Sequence, residues 1–197
     1  MNQKLKDLLL NLRDKARRNR FDLRRRGLFS DRDVRDMESD DLDHVRELQS
    51  IIDIYGWPGF SLVGEEGAES AWYIAQNADA LPSFQRSCLR LIREAVEHGE
   101  ASPKHAAMLM DRVRFNERKP QIFGTIFDWD QDDQLNPWPI EPAEGVDARR
   151  AKVGLPPLMA SIREIRQEAE QEGHTPPGSY EERQSDIDGW AKRVGWL

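Results

Sequence analysis

Residues 111–125 read DRVRFNERKPQIFGT, and the fold turns on how that stretch divides. Before it, Ala106, Leu109, Met110 and Val113 recur at helical spacing behind a Ser102 cap and a Pro103 first turn, which predicts a helix over 103–116. After Pro120 the pattern changes to QIFGTIFDWD, rich in β-branched and aromatic residues, then QDD, then QLNPWPI. That predicts a β-hairpin at about 121–140 with its turn near Gln131 to Asp133. Pro137 and Pro139 make the second arm an edge strand or merely extended chain. A helix thus gives way to extended chain inside a junction that holds Asp111, Arg112, Arg114, Lys119, Gln121 and Thr125. Helical geometry sets Asp111 and Arg114 on one flank of the apolar stripe and His105 and Arg112 on the other.

Upstream, Pro82 opens a helix over 82–98 whose wide apolar face is Phe84, Cys88, Leu91, Ile92 and Ala95, with Gln85 at its margin. The helix over 67–79 is the least amphipathic, so it belongs at the centre, mostly buried, and its polar residues Gln76, Asn77 and Asp79 need partners in loop backbone or in a ligand. YGWPGFSLVGEEG, residues 55–67, contains Pro58 and four glycines and reads as an ordered loop, packed onto the core by Trp57, Phe60, Leu62 and Val63. Its Gly64 and Gly67 precede a helix as a phosphate cradle would, but Glu65 and Glu66 oppose an anion there. Ser30 with Asp33 resembles a capping box for a second helical pattern, Val34 to Ile52, with a break expected around Ser39 to Asp41. Residues 3–26 form an amphipathic helix with Leu5, Leu8, Leu9, Leu12, Ala16 and Leu23 on one stripe and Gly27 at its end.

Downstream, a short helix over Val146 to Lys152 is ended by Gly154, and Pro157 begins another carrying Leu158, Ile162, Ile165 and Ala169. HTPPG at 174–178 is a linker, and Ser179 with Glu182 caps a last helix that docks by Ile187, Trp190, Ala191 and Val194. The fold class is therefore mainly α, a single compact helical domain of five to eight helices with a small β-hairpin. Its organisation is a basic N-terminal helix (1–29), a core (30–172), and a linker with a C-terminal docking helix (173–197).

With 197 residues the chain suits one core. Hydrophobic content of 38% excludes general disorder, and a net charge of −7 opposes a general nucleic-acid coat. Residues 1–29 nevertheless hold ten Lys or Arg against three Asp, and residues 30–54 three against nine acids, so two neighbouring helices should attract through their polar faces. A basic arm for RNA, lipid or a partner is the competing reading. Cys88 is alone, which excludes an internal disulfide and fits a reducing compartment. The apolar run Leu8 to Leu10 is too short for a signal-peptide core, so a cytoplasmic protein with no membrane partner is expected.

Standard catalytic signatures are missing: there is no HExxH, CxxC pair, GxSxG or P-loop, and the four histidines are too dispersed to imply a metal or other cofactor. Asp128, Asp130 and Asp132 alternate as in a calcium loop, but Asp133 and Pro139 stand where such a loop needs glycine and a bidentate Glu. What remains is carboxylates, amides and guanidinium groups, with Asp111 a candidate base or anchor and Arg112 or Arg114 a candidate clamp for a carboxylate or phosphate. Pairing of these groups with one another across helix turns is the alternative.

The motifs YGWPGFSLVGEEGAESAW, IAQNAD, FQRSCL, DRVRFNERKPQIFGT and PIEPAEGVDARRAKVGLPPL, in that order, resemble the uncharacterised bacterial family catalogued as domain of unknown function 6624, over about Met37 to Ile165. Members of that family read HGWPG, QHAD and KPQxYGTQ. Here Tyr55 and Asn77 stand where His is usual, Phe123 where Tyr is usual and Ile126 where Gln is usual, while Gln76, Asp79, Gln85, Asp111, Arg112, Lys119, Gln121 and Thr125 match. An imidazole can shuttle protons or bind metal near neutral pH and an amide cannot, so the resemblance implies either non-catalytic family histidines or a member that has kept a pocket without the activity. The expected function is a pocket that binds a small polar or anionic ligand, with enzymatic activity left open. Asp111 and Asp79 would carry any proton transfer, and Tyr55, Trp57, Gln76, Asn77, Gln85, Arg112, Lys119, Gln121 and Thr125 would hold the ligand. The competing expectation is a protein-interaction module working through the N- or C-terminal helix. Asp111→Asn and Gln121→Ala are expected from the sequence to weaken ligand binding and to leave thermal stability little changed.

If the basic helix docks on its own protein, nucleic-acid binding is weak. Salt-titrated binding assays with duplex DNA and RNA check this, and tight binding with a steep salt slope, abolished when Arg24, Arg25 and Arg26 are neutralised, would contradict it.

Overall fold

A computed structural model describes residues 1–26 and 31–197, with side chains described outside residues 20–40. The Gly27 helix end, the Ser30 capping box and the side chains at 20–40, where the basic and acidic helices were expected to attract, fall outside the described residues. Among those described, the chain forms eight helices and one two-stranded antiparallel hairpin, the mainly α class that the patterning predicts. Contacts gather it into two compact units, Met1–Ala106 and Ala107–Leu197, and the division falls inside the fifth helix.

Unit 1 contains α1 (Gln3–Arg26), α2 (Asp31–Tyr55), α3 (Phe60–Gln76), α4 (Pro82–Glu97) and the start of α5 (Pro103–Asn116). The Asn2 side-chain oxygen accepts the Leu5 N–H at 3.2 Å and so starts α1. Leu5, Leu9, Leu12 and Ala16 are buried, whereas Leu8 is 38% exposed, so the stripe is one residue narrower than its leucine content implied. The helix α1 packs on α3, where Lys6 meets Glu66 at 2.6 Å, Arg17 meets Glu69 at 3.5 Å, and the Arg17 guanidinium lies 5.0 Å from the Tyr73 ring centre. These described basic residues therefore find their acids on α3. Exposed ion pairs of this kind orient helices and contribute little stability.

Two expectations are corrected here. The helix α2 runs without a break through Ser39 to Asp41, which carry no Gly or Pro to interrupt it. The supposed 55–67 loop shrinks to residues 56–59, because α3 already begins at Phe60. Pro58 and Gly59 end the irregular stretch, Gly59 being the N-cap, and the helix continues past Gly64, whose φ of 70° kinks it. Pro58, Gly59 and Val63 are buried, and Trp57 is half-buried. Beyond the kink Ala68, Ala71, Trp72, Ile74 and Ala75 are all buried, and α3 packs against α1, α2 and α4, which makes it the central element of unit 1. Cys88 lies in the α4 core with its thiol pushed up to about 12 by burial, which keeps it unreactive.

Unit 2 contains the rest of α5, β1 (Phe127–Trp129), β2 (Leu135–Pro137), α6 (Val146–Lys152), α7 (Leu158–Gln171) and α8 (Tyr180–Val194). The strands pair Phe127 with Pro137, Asp128 with Asn136 and Trp129 with Leu135. Asp130 organises the turn: its Oδ1 accepts the N–H groups of Asp132 and Gln134, each at 2.9 Å, and its Oδ2 accepts the Asn136 amide at 2.6 Å. The hairpin is shorter than 121–140. Only Gln121 forms an isolated parallel bridge, to Ile140, and residues 122–126 are loop. The α8 N-terminus has the expected Ser179 cap, with the Glu182 N–H donating to Ser179 Oγ at 3.2 Å. Charge helps to dock α8 beside its apolar face: Arg183 reaches buried Asp128 at 2.6 Å and Arg118 reaches Asp188 at 2.7 Å, near buried Ala191 and Trp196.

Gly59 shows how tightly unit 1 is joined. Phe60 N–H donates to the Glu100 carbonyl at 3.0 Å and Ser61 N–H to its carboxylate at 2.8 Å, so Glu100 caps α3 from outside. A Cβ on Gly59 would sit 2.8 Å from Glu100 Cβ and 2.9 Å from its backbone oxygen. Gly59→Ala should therefore lower stability by about 1–3 kcal/mol in urea unfolding. An unchanged midpoint would show that this contact yields freely.

Candidate functional site

In unit 2 the junction read from the sequence is a loop whose backbone is held by side chains. The Asp111 carboxylate, fully buried on α5, accepts the N–H of Ile122 (2.8 Å), Phe123 (3.2 Å to either oxygen) and Thr125 (3.0 Å), and the Thr125 hydroxyl (3.0 Å). Burial pushes its carboxyl above the usual range, against the pull of those four donors. Gln121, also fully buried, uses its whole amide: Oε1 accepts the N–H groups of Thr125 (2.9 Å) and Ile126 (2.7 Å), and Nε2 donates to the carbonyls of Ile126 (2.9 Å) and Trp138 (2.7 Å).

The loop carbonyls are met by arginines. Arg150, 1% exposed on the short α6, donates to Phe123 O (2.6 Å), Gly124 O (3.0 Å), Pro156 O (2.6 Å) and Ser161 Oγ (2.6 Å). Burial pulls this guanidinium down, while Asp147 and Asp111 push it back up. Arg149 adds a bond to Ile122 O at 3.0 Å, and Arg114 donates to Pro120 O. At the centre Gly124 has φ +69°, and a Cβ there would lie 2.6 Å from Ile140 Cδ1. Lys119 is exposed and meets Glu117 at 2.8 Å, and Arg112 is partly buried on α5. Asp111, Gln121 and Thr125 thus form one cluster directed at backbone.

Unit 1 holds a second cluster at the end of α3. Gln85, fully buried on α4, donates from Nε2 to Ala75 O (2.9 Å), Gln76 O (3.2 Å) and Asp79 Oδ1 (3.2 Å), and so adds a donor to the last carbonyls of α3. Asn77 is the C-cap residue, and its Nδ2 donates to Tyr73 O at 2.8 Å. Gln76 differs: it is 7% exposed and its Oε1 is buried with no hydrogen-bond partner. The Nε1 atoms of Trp57 and Trp72 are likewise buried without partners. Trp72 stacks on His105, ring centres 4.1 Å apart at 7°. Burial lowers the His105 pKa, Glu69 opposing and Lys104 reinforcing, which leaves a neutral imidazole at neutral pH. Tyr55 is 49% exposed.

Trp72, His105, Arg149 and Arg150 did not stand out as site residues in the sequence. Trp72 lies four residues before Gln76 on α3, which was a usable signal for the pair. Among the described residues no group of three His, Cys, Asp or Glu is placed to hold a metal ion, and no helix is long and apolar enough to cross a membrane.

A mainly helical protein with a side-chain-braced loop is what the fold and these clusters define. Its family is the family of unknown function DUF6624, whose model matches residues 26–171, and the chain belongs to it. No curated protein and no solved structure matches the chain.

The geometry reverses the stability effect expected of Asp111→Asn. An amide keeps one acceptor oxygen and turns an NH2 group toward backbone N–H donors, so the variant should lose about 2–3 kcal/mol. Arg150→Met should lose at least as much, and Lys119→Gln should stay within about 0.5 kcal/mol. Chemical denaturation of the three variants decides the matter, and wild-type stability in Asp111→Asn would mean that the carboxylate does not hold the loop.

Proposed function

We propose that the protein binds a small polar or anionic molecule and that unit 1 carries the recognition groups. Gln76 supports this reading most directly. Buried amides nearly always find partners, and the neighbouring Gln85 donates from Nε2 to three acceptors, yet Gln76 Oε1 meets no donor. A ligand hydroxyl or amine would satisfy that oxygen. A carbonyl, carboxylate or phosphate oxygen would satisfy the indole N–H groups of Trp72 and Trp57. The stack on His105 fixes the Trp72 ring plane and so the direction of its N–H.

Catalysis is a second reading, favoured by His105, a half-buried imidazole whose pKa burial lowers, which keeps its ring in the neutral form that a general base needs. Of the two carboxylates expected to carry chemistry, Asp79 belongs with these groups through Gln85, whereas Asp111 acts through the loop it holds.

Gln76→Leu separates a recognition group from a strut. Removing a buried acceptor that has no partner should leave stability unchanged or raise it by about 1 kcal/mol, whereas Gln85→Leu, which takes a side-chain donor from the Ala75 and Gln76 carbonyls, should lower it by about 2 kcal/mol. Thermal-shift screening against nucleosides, sugars, amino acids and organic acids should find compounds that stabilise wild type, by about 2.7 kcal/mol at a hundredfold excess over Kd, and not Gln76→Leu. If Gln76→Leu unfolds and no compound shifts wild type, Gln76 is structural and the interaction-module reading replaces this one.

A further inference from the structure

Unit 2 contains a cleft of about 290 Å³ between the hairpin and the end of α7, lined by residues that include Trp129, Asp133, Arg166, Glu170 and His174. We propose that this cleft binds a small organic cation, an amine or a quaternary ammonium group. It is independent of the ligand proposed for unit 1. Its size is near the lower bound of ligand pockets, which suits a molecule of about ten heavy atoms. Its charge balance selects the sign. Arg166 is committed to the hairpin, with Nε donating to Leu135 O at 3.0 Å and Nη2 to Asn136 Oδ1 at 2.7 Å. His174 lies 3.2 Å from the Glu172 carboxylate, which would neutralise it on protonation. The acceptors of Arg166 are neutral, so its charge remains, but the exposed carboxylates of Asp133 and Glu170 outnumber it in the lining, and Asp130, Asp132, Glu168 and Glu172 on the same two segments add to the negative side. The Gln134 N–H, followed by the Asn136 amide, holds the Asp130 carboxyl below its usual range, which keeps the turn charged. Trp129 supplies an aromatic wall, the surface on which ammonium groups are recognised.

The substitutions that test this leave the fold alone. Asp133 has φ +56°, a conformation that Asn tolerates as well as Asp, and Glu170 is exposed on α7, so Asp133→Asn and Glu170→Gln remove charge and little else. Spermidine and choline are titrated separately into the full chain at 50 mM and at 150 mM salt, which sets the screening only. The indole N–H cross-peak of Trp129 is identified by its loss in Trp129→Phe. The expected result is saturable binding of at least one cation at a single site, with the Trp129 peak moving and with roughly tenfold weaker binding in the double variant. Response to choline assigns recognition to the aromatic wall, and response to spermidine alone assigns it to the carboxylates. No saturation with either probe, an unmoved Trp129 peak, or equal binding by the double variant would overturn the proposal.

Discussion

The constraint on which unit 2 depends is that the loop 121–126 lacks regular secondary structure while Gln121, Gly124 and Ile126 are buried and the residues between them half-buried. Each backbone N–H and C=O brought out of water without a partner costs about 1–3 kcal/mol, so a stretch of this length cannot be covered by apolar packing alone. Asp111 collects the N–H groups, Arg150 and Arg149 collect carbonyls, and Gln121 does both for the residues that lead into β1. Carboxylate and guanidinium suit opposite halves of the same peptides, since one only accepts and the other only donates. The arrangement also disposes of two groups that would otherwise be costly to bury, each satisfied by backbone dipoles, with the field of Asp111 raising the Arg150 pKa against its burial. A helix as short as α6 is explicable on this basis. It delivers Arg149 and Arg150 to the loop, and its own Asp147 caps α7 by accepting the Leu158 N–H at 2.7 Å.

Unit 1 solves a related problem at the end of α3. The last carbonyls of any helix lack intrahelical donors, and here the Gln85 amide reaches two of them from α4. Gln85 and Gln76 are therefore the same residue type in the same cluster with different circumstances, one donating to three acceptors and the other holding an unmet acceptor. That contrast makes Gln76 informative. Burial alone would not distinguish them.

Helix stripes, proline-led starts and the hairpin turn were legible in the sequence because each is a short-range effect. The Phe84–Cys88–Ile92–Ala95 face of α4, the bounds of α5 and the Ser179 cap follow from spacing of four or fewer residues. What was not legible rests on partners distant in the chain. The Arg149 and Arg150 pair reads as an ordinary basic helix end until the loop carbonyls some 26 residues earlier are placed beside it. The early start of α3 is hidden in the sequence because Pro58 and Gly59 read as breakers, whereas they precede the helix and Glu100 supplies its cap. Polar residues beside apolar stripes marked both clusters correctly as places where burial needs partners. Pattern alone could not say whether those partners were backbone or ligand.

The departures from the family pattern fit the same physics. Asn77 closes α3 by donating from its side chain to the carbonyl four residues earlier, at 2.8 Å. At the end of α4, His98 occupies the corresponding C-cap position and its Nδ1 lies 2.8 Å from the Glu94 carbonyl, again four residues earlier. Asparagine and histidine can therefore satisfy the same helix-end carbonyl. Histidine at position 77, the residue that the family resemblance expects, would keep the cap and add a second ring nitrogen, whereas Asn77 keeps the cap and offers no group that titrates near neutral pH. The fold thus accepts the exchange at little structural cost, and the difference falls on chemistry. An imidazole does stand beside α3, but it comes from α5: His105 stacks on Trp72, four residues before Gln76, with its pKa lowered by burial.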